Sequence, residues 1–267
     1  MSDAETYELF AVRYAHLETR PRRDNFIAAP DPHDGAMPID YYVWAIVNES
    51  RTIVVDTGFG HEEARKRGRQ LIRLPGEGLE MLGIEAAAVE DVIVTHLHYD
   101  HAGTLGAFPR ARFHVQDLEM TYTTGRQMCH QPLRHAYTVD DVVDMVRCVY
   151  AGRVQFHDGD GDIAPGVTMH HIGGHTLGLQ CVRVRTKRGW VVLASDASHF
   201  YENMETVSPF PIVYNVGDMI AGYERMRGLA ETPGHIIPGH DPLVMARYPA
   251  PEKALEGAVA RLDVAPR

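Results

Sequence analysis

The stretch Thr95-His96-Leu97-His98-Tyr99-Asp100-His101-Ala102-Gly103 packs three imidazoles and a carboxylate into the six residues from His96 to His101. Such a cluster cannot simply be buried in an apolar core, because each polar group would need its own hydrogen-bond partner. A divalent cation satisfies all four at once, and imidazole with carboxylate is a donor set suited to zinc. His96 and His98 stand two apart, so in an extended segment they project to one side and can chelate a single ion. Asp100 and His101 follow a turn of the chain and suit a second ion nearby. The spacing therefore predicts two metals rather than one.

Three more loops carry donors of the same kind. Gly173-Gly174-His175 lets the backbone turn sharply and brings an imidazole inward. The apolar run Val191-Val192-Leu193-Ala194-Ser195 delivers Asp196, an acid that could bridge two cations and offset their repulsion. Ile236-Ile237-Pro238-Gly239 delivers His240 in the same manner. His170 and His171 lie nearer the body of a strand and read as structural.

The phrase His96-x-His98-x-Asp100-His101 at the end of a strand, completed by His175, Asp196 and His240, resembles the metallo-β-lactamase superfamily. The resemblance runs from Asp56-Thr57-Gly58 to Gly239-His240-Asp241. It implies that His96, His98 and His175 hold one zinc, that Asp100, His101 and His240 hold a second, and that Asp196 bridges them. Asp56 and Thr57 match the position whose hydrogen bonds orient the ligands. The implied fold is α/β: a four-layer αββα sandwich of two mixed sheets flanked by helices, with the metals at one edge. The implied chemistry is hydrolysis, with two Zn2+ per chain sharing a water whose pKa falls towards neutrality, and with Asp100 shuttling the proton.

Within that superfamily the chain looks most like the N-acyl-homoserine lactonases and their relatives. The spacings between donors and the phrase Asp196-Ala197-Ser198 carry the likeness. Where those lactonases place a tyrosine three residues beyond the bridging aspartate, this chain has His199, whose ring N–H could serve at the carbonyl oxygen. The alternatives are a hydrolase of a cyclic amide or of a thioester (glyoxalase-like), and a mono-iron persulfide dioxygenase, in which Asp100 and His240 would be spectators. No basic cluster in the C-terminal part suggests a glutathione grip, a nuclease would need extra domains and a basic groove, and a mere metal store would not need this open mixture of ligands.

These loops need strands behind them. Asp91-Val92-Ile93-Val94 is a short β-branched run that reads as a buried strand leading into the main motif. Tyr7–Tyr14, Tyr41–Val47, Thr52–Val55, Arg112–Val115, Val154–His157, Val167–Ile172, Leu179–Thr186 and Trp190–Ser195 read as further strands, with Gly159–Gly166 as a turn. Helices are expected at His61–Ile72 with Pro75 as a stop, near Gly78–Met81, from Asp117 with that residue as cap, over Asp140–Val149, over Val216–Leu229, and as a polar helix over Pro251–Val264. Glu18–Pro38 reads as irregular loop. No linker divides the 267 residues, so residues 1–267 are expected to form a single domain. Residues 125–150 are a candidate lid insertion, with Met128, Cys129, His130, His135 and Tyr137 as candidate substrate contacts.

The net charge of −10 argues against nucleic acid as a main partner, since phosphate binding needs a basic face. Arg20-Pro21-Arg22-Arg23 reads as a solvated basic corner. Cys129, Cys148 and Cys181 lack metal or disulfide spacing and read as reduced thiols. The polar, acidic start and the lack of a long apolar run point to a cytoplasmic protein with no membrane partner. The partner expected is a small-molecule substrate, and the family likeness adds a homodimer.

Overall fold

Along strand β1 (Glu8–Leu17), Leu9 and Ala11 enter one hydrophobic core while Phe10, Val12 and Tyr14 enter another. The same alternation continues in β2 (Ile39–Val47), where Tyr42, Trp44 and Ile46 face the first core and Tyr41, Val43 and Ala45 the second. A sheet whose strands are apolar on both faces must be covered on both. The first core lies between two sheets, and the second lies between the larger sheet and its helices. This computed structural model describes residues 5–28 and 33–267.

The larger sheet adds β3 (Thr52–Val55), β4 (Gln70–Leu71), β5 (Asp91–Ile93), β6 (Arg112–Gln116) and β7 (Val154–His157). The smaller one holds β8 (Gly161–Ala164), β9 (Val167–His171), β10 (Gln180–Thr186), β11 (Gly189–Ser195) and β12 (Ile236–Pro238). A last strand, β13 (Val259–Arg261), returns to the edge of the larger sheet. The strand orders are β13-β1-β2-β3-β5-β6-β7, with β4 beside β1, and β12-β11-β10-β9-β8. Pairing is parallel from β3 through β7 and between β11 and β12, and antiparallel elsewhere, so both sheets are mixed. The helix Val216–Leu229 covers the smaller sheet with Met219, Tyr223 and Met226. The fold is an α/β sandwich of two mixed sheets flanked by helices, the architecture the resemblance implies.

Several expected elements shift for local reasons. The helix from His61 ends at Arg67, because Gly68 adopts a left-handed φ of 64° and turns the chain into β4. Pro75 starts the next helix, Pro75–Glu80, in the first-turn position where its missing N–H costs nothing. Asp117 is the first residue of its helix, and Gln116 occupies the cap. Gly161–Ala164 is a strand paired with β9 rather than part of a turn. The polar C-terminal helix is not formed: Lys253–Leu255 makes a short 3-10 turn, and Val259–Arg261 pairs with Phe10–Val12. An uncovered edge of β1 captures the apolar Ala258-Val259-Ala260, and that gain outweighs weak helix propensity. Glu18–Pro38 is irregular apart from a 3-10 turn at Arg22–Asn25, with residues 29–32 outside the described residues. No helix among the described residues is long and apolar enough to cross a membrane.

Candidate metal centre

β3, β5, β9, β11 and β12 all release their chains at one edge of the sandwich. Strand ends in an open sheet are where backbone stops being paired and loops are free to present side chains. β3 runs straight into Asp56 and β11 ends at Ser195, and these two residues hold φ values of 61° and 48°. That conformation is costly for residues with a Cβ and persists only where the surroundings enforce it. Gly174, at φ 81°, has the same bend, and a Cβ there would stand 2.5 Å from the backbone nitrogen of Met219. The imidazole of His175 therefore arrives on a turn that only glycine fits.

The predicted donors meet at that edge. His96 Nε2 and His175 Nε2 each lie 3.0 Å from His98 Nδ1. His96, His98, His175 and Asp196 form one group whose ligand atoms lie within 4.8 Å of one another, and Asp100, His101 and His240 form a second. Asp196 stands between them. Its Oδ2 is 3.0 Å from His175 Nε2 and 3.7 Å from His96 Nε2, while its Oδ1 is 2.9 Å from His240 Nε2 and 3.2 Å from His101 Nε2. Asp100 Oδ2 lies 3.8 Å from both His101 Nε2 and His240 Nε2. All seven side chains are buried.

The outward ring nitrogens decide what the inward ones can do. His175 Nδ1–H donates to the carbonyl of Ile212 at 2.6 Å, and His240 Nδ1–H donates to the carbonyl of Asp40 at 2.9 Å. A carbonyl only accepts, so in the neutral rings these protons sit on Nδ1 and the inward Nε2 atoms carry bare lone pairs. His101 Nδ1 is held likewise by Asp56 Oδ2 at 2.7 Å, and its buried Nε2 has no hydrogen-bond partner among the described residues. Lone pairs then face the oxygens of Asp196 from both sides. Acceptor against acceptor in a buried pocket is repulsive, and a cation between them removes the conflict. The residues present fit a pair of divalent ions.

The charges agree with this. Burial presses the imidazoles of His96 and His98 well below their ordinary pKa, which keeps them neutral and able to ligate. Burial also opposes charge on His101 and His240, but there the neighbouring carboxylates, Asp196 first, outweigh it and raise both. Asp196 is buried too, yet the surrounding imidazoles, His199 first, hold it well below the usual carboxylate range. The centre sets the anionic Asp196 between the neutral imidazoles of His96 and His98 and those of His101 and His240, on which it favours positive charge, as it would favour a cation beside them.

Asp56 supports the motif from beneath: its carboxylate accepts from Thr95 N–H at 2.7 Å and Thr95 Oγ1 at 2.8 Å as well as from His101. Thr57 supports His101 through the backbone, its Oγ1 donating to the His101 carbonyl at 3.2 Å. His199 places Nε2 3.1 Å from Asp196 Oδ2 and stacks on Phe210 at 3.7 Å, and burial lowers its pKa to about 3. His170 is paired with Asp160 and His171 with the carbonyl of Leu177, away from the centre.

Sequence reading missed Glu119. This buried carboxylate accepts from Leu97 N–H at 2.9 Å, Thr176 Oγ1 at 2.6 Å, Gly178 N–H at 3.1 Å and Tyr137 OH at 3.2 Å. It ties the His96 loop, the His175 loop and the 125–150 segment into one piece, a role that no motif announces. That segment consists of a 3-10 turn (Arg126–Cys129) and the helices Gln131–Arg134 and Val139–Tyr150. From it, Tyr137 packs its ring 4.4 Å from that of His98, and His135 and Ala136 line the cleft above the centre. Met128, Cys129 and His130 are not among the residues lining it. The cleft has a volume of about 280 Å³.

A family model described as the metallo-beta-lactamase superfamily matches residues 37–245. An N-acyl homoserine lactonase from Bacillus sp is 29% identical over 190 residues, which is 64% of this chain and 70% of that one. Among solved structures, a quorum-quenching N-acyl homoserine lactone lactonase superposes with a TM-score of 0.72 at 23% identity, over 89% of this chain and 94% of the other. AidC, described as a dizinc quorum-quenching lactonase, gives a TM-score of 0.70 at 14% identity, over 90% of this chain. That alignment spans 89% of AidC.

Proposed function

The chain belongs to the metallo-β-lactamase superfamily, and from that premise we propose that it is a dinuclear zinc hydrolase that opens the ring of a small lactone. One observation carries the reading: the two oxygens of Asp196 face two separate sets of imidazole nitrogens, as a bridging carboxylate requires. The lactonases among its relatives and structural neighbours supply the substrate class, an N-acyl-homoserine lactone or a related ring. Two bound zinc ions would supply Lewis acidity, which lowers the pKa of a water and polarises a carbonyl.

The chain's own groups do the rest. His96, His98 and His175 would hold one ion, and Asp100, His101 and His240 the other. Asp100 is the ligand whose carboxylate keeps some exposure to the cleft, so it can carry a proton between the attacking water and the departing ring oxygen. His199 lines the cleft, and its Nδ1 has no hydrogen-bond partner among the described residues. The 125–150 segment, docked through Tyr137 on Glu119, covers the centre as part of a single domain. A mono-iron oxygenase would have no use for a second donor set, and the gathering of Asp100, His101 and His240 favours the two-metal hydrolase.

Metal quantification on purified protein, run beside a screen of lactones, cyclic amides and thioesters read by proton release, tests this. About two zinc ions per chain and lactone turnover are expected. His240→Ala should retain about one ion and lose at least about a hundredfold in kcat, the cost of removing one of two Lewis acids. Full activity of that variant with one ion bound would sink the dinuclear reading.

A further inference from the structure

The basic corner Arg20-Pro21-Arg22-Arg23 divides in the folded chain. Arg22 pairs with Glu202 and Arg23 with Asp34, but Arg20 lines the metal cleft together with Arg67 and Arg69. Arg67 is neutralised by Glu63, which takes its Nε at 2.6 Å. Among the described residues, neither Arg20 nor Arg69 is paired with a carboxylate. Arg20 donates through Nε to the side-chain oxygen of Asn25 and through Nη2 to the carbonyl of Asp24. Arg69 donates through Nε to Tyr99 OH at 3.1 Å and through Nη1 to the carbonyl of Arg67 at 2.7 Å. These neutral acceptors hold both guanidinium groups in place without cancelling their charge. They leave Nη1 of Arg20 and Nη2 of Arg69 with no acceptor among the described residues.

Both groups approach the histidine cluster through aromatic side chains. Tyr99 OH donates to Tyr41 OH at 3.3 Å, and the Tyr41 ring packs against His240 with centroids 5.3 Å apart. The Arg20 guanidinium lies 4.9 Å over Phe210, which stacks on His199. The two arginines are close enough for Arg20 to feel the like charge of Arg69. The carboxylate of Asp24 acts on Arg20 and that of Asp100 on Arg69, but among the described residues neither guanidinium has a carboxylate at ion-pair distance, so each keeps a donor for an anion in the cleft. At about 280 Å³ the cleft is at the small end for ligand sites, which suits a compact molecule.

We propose that the substrate is a small lactone bearing a carboxylate, which Arg20 and Arg69 grip while the ring carbonyl lies at the histidine cluster. This rests on the lactone-opening reading above and narrows it. In the reaction water's oxygen joins the acyl carbon, the ring C–O bond breaks, and the ring oxygen leaves as a hydroxyl. The product is a hydroxy-dicarboxylate, and one proton is released.

The test compares 5-oxotetrahydrofuran-2-carboxylate with its neutral 2-carboxamide on the zinc-loaded protein, and titrates the ring-opened product 2-hydroxyglutarate by calorimetry. Charge-assisted contacts to arginine should favour the carboxylate by about ten- to a hundredfold in kcat/KM. Arg69→Gln and Arg20→Gln should each bring the ratio towards one, mainly by raising KM for the carboxylate, and should weaken 2-hydroxyglutarate binding to match. Arg69→Lys should recover part of the preference, which a merely misfolded site would not. Equal kcat/KM for the two lactones would overturn the anion site and leave the lactonase reading standing. If neither lactone opens but 2-hydroxyglutarate binds in an Arg20- and Arg69-dependent way, the anion site stands and the lactone reading falls. Product binding that both glutamine variants leave unchanged would overturn it as well.

Discussion

Glu119 is fully buried, and burial raises its pKa even though four donors work to keep it ionised. Those donors come from the loops that carry His96 and His175 and from the covering segment, so one side chain sets the mutual position of three pieces of backbone. The packing is close: a Cβ on Gly178 would stand 2.1 Å from the Glu119 nitrogen. Glu119→Ala would strand buried N–H and O–H groups, each with a desolvation cost. A stability loss of about 2–4 kcal/mol is expected by denaturant titration. The loops would loosen too, so zinc affinity should fall by roughly ten- to a hundredfold in a competitive chelator titration. A variant as stable and as tight for zinc as the parent would show that the loops hold themselves. Sequence offered no sign of this residue, because a lone Glu near the start of a helix is ordinarily a solvated one.

Among the secondary-structure elements, the helix Val139–Tyr150 carries its own pH dependence. Asp141 is pushed up to about 7, by burial first and then by the nearby Glu63 and Asp144, and its Oδ2 has no hydrogen-bond partner among the described residues. An unfolded aspartate titrates near 3.9. Because the folded value is the higher one, the native chain binds the extra proton between about pH 4 and 7. Asp141 therefore costs stability increasingly as pH rises through that window, and the full penalty remains above it. Asp141→Asn should raise stability at pH 8 by on the order of 1–2 kcal/mol, after allowance for solvent screening and for the lost helix-dipole contact. The gain should vanish below about pH 4. Thermal melts of both proteins across pH 4–8 check it, and a gain that does not change with pH would contradict the assignment.

For the whole molecule, the centre is where four stretches of chain far apart in sequence are joined, so metal should contribute to folding as well as to chemistry. Ions that bind the assembled site and not the unfolded chain stabilise it by about 4 kcal/mol at a free concentration a thousandfold above Kd. At 2–4 °C per kcal/mol for a chain of this size, chelation should lower Tm by roughly 10 °C, and added zinc should restore it. An unchanged melt would mean that the folded chain holds no metal.

The sequence by itself singled out the clustered histidines and aspartates and most of the strands beneath them. Period-two apolar alternation and glycine-marked turns are local, so Tyr41–Val47, Trp190–Ser195 and Gly173-Gly174-His175 were legible one window at a time. Even the four-layer architecture followed, once those windows resembled a known family. Other features had no local signal. Val259–Arg261 is a strand because β1 has an open edge. Which oxygen of Asp196 faces which imidazoles, and that Arg20 leaves its basic neighbours to line the cleft, are likewise properties of the assembled molecule. Charge, burial and hydrogen-bond direction depend on neighbours brought from elsewhere in the chain, and only the tertiary structure supplies those neighbours.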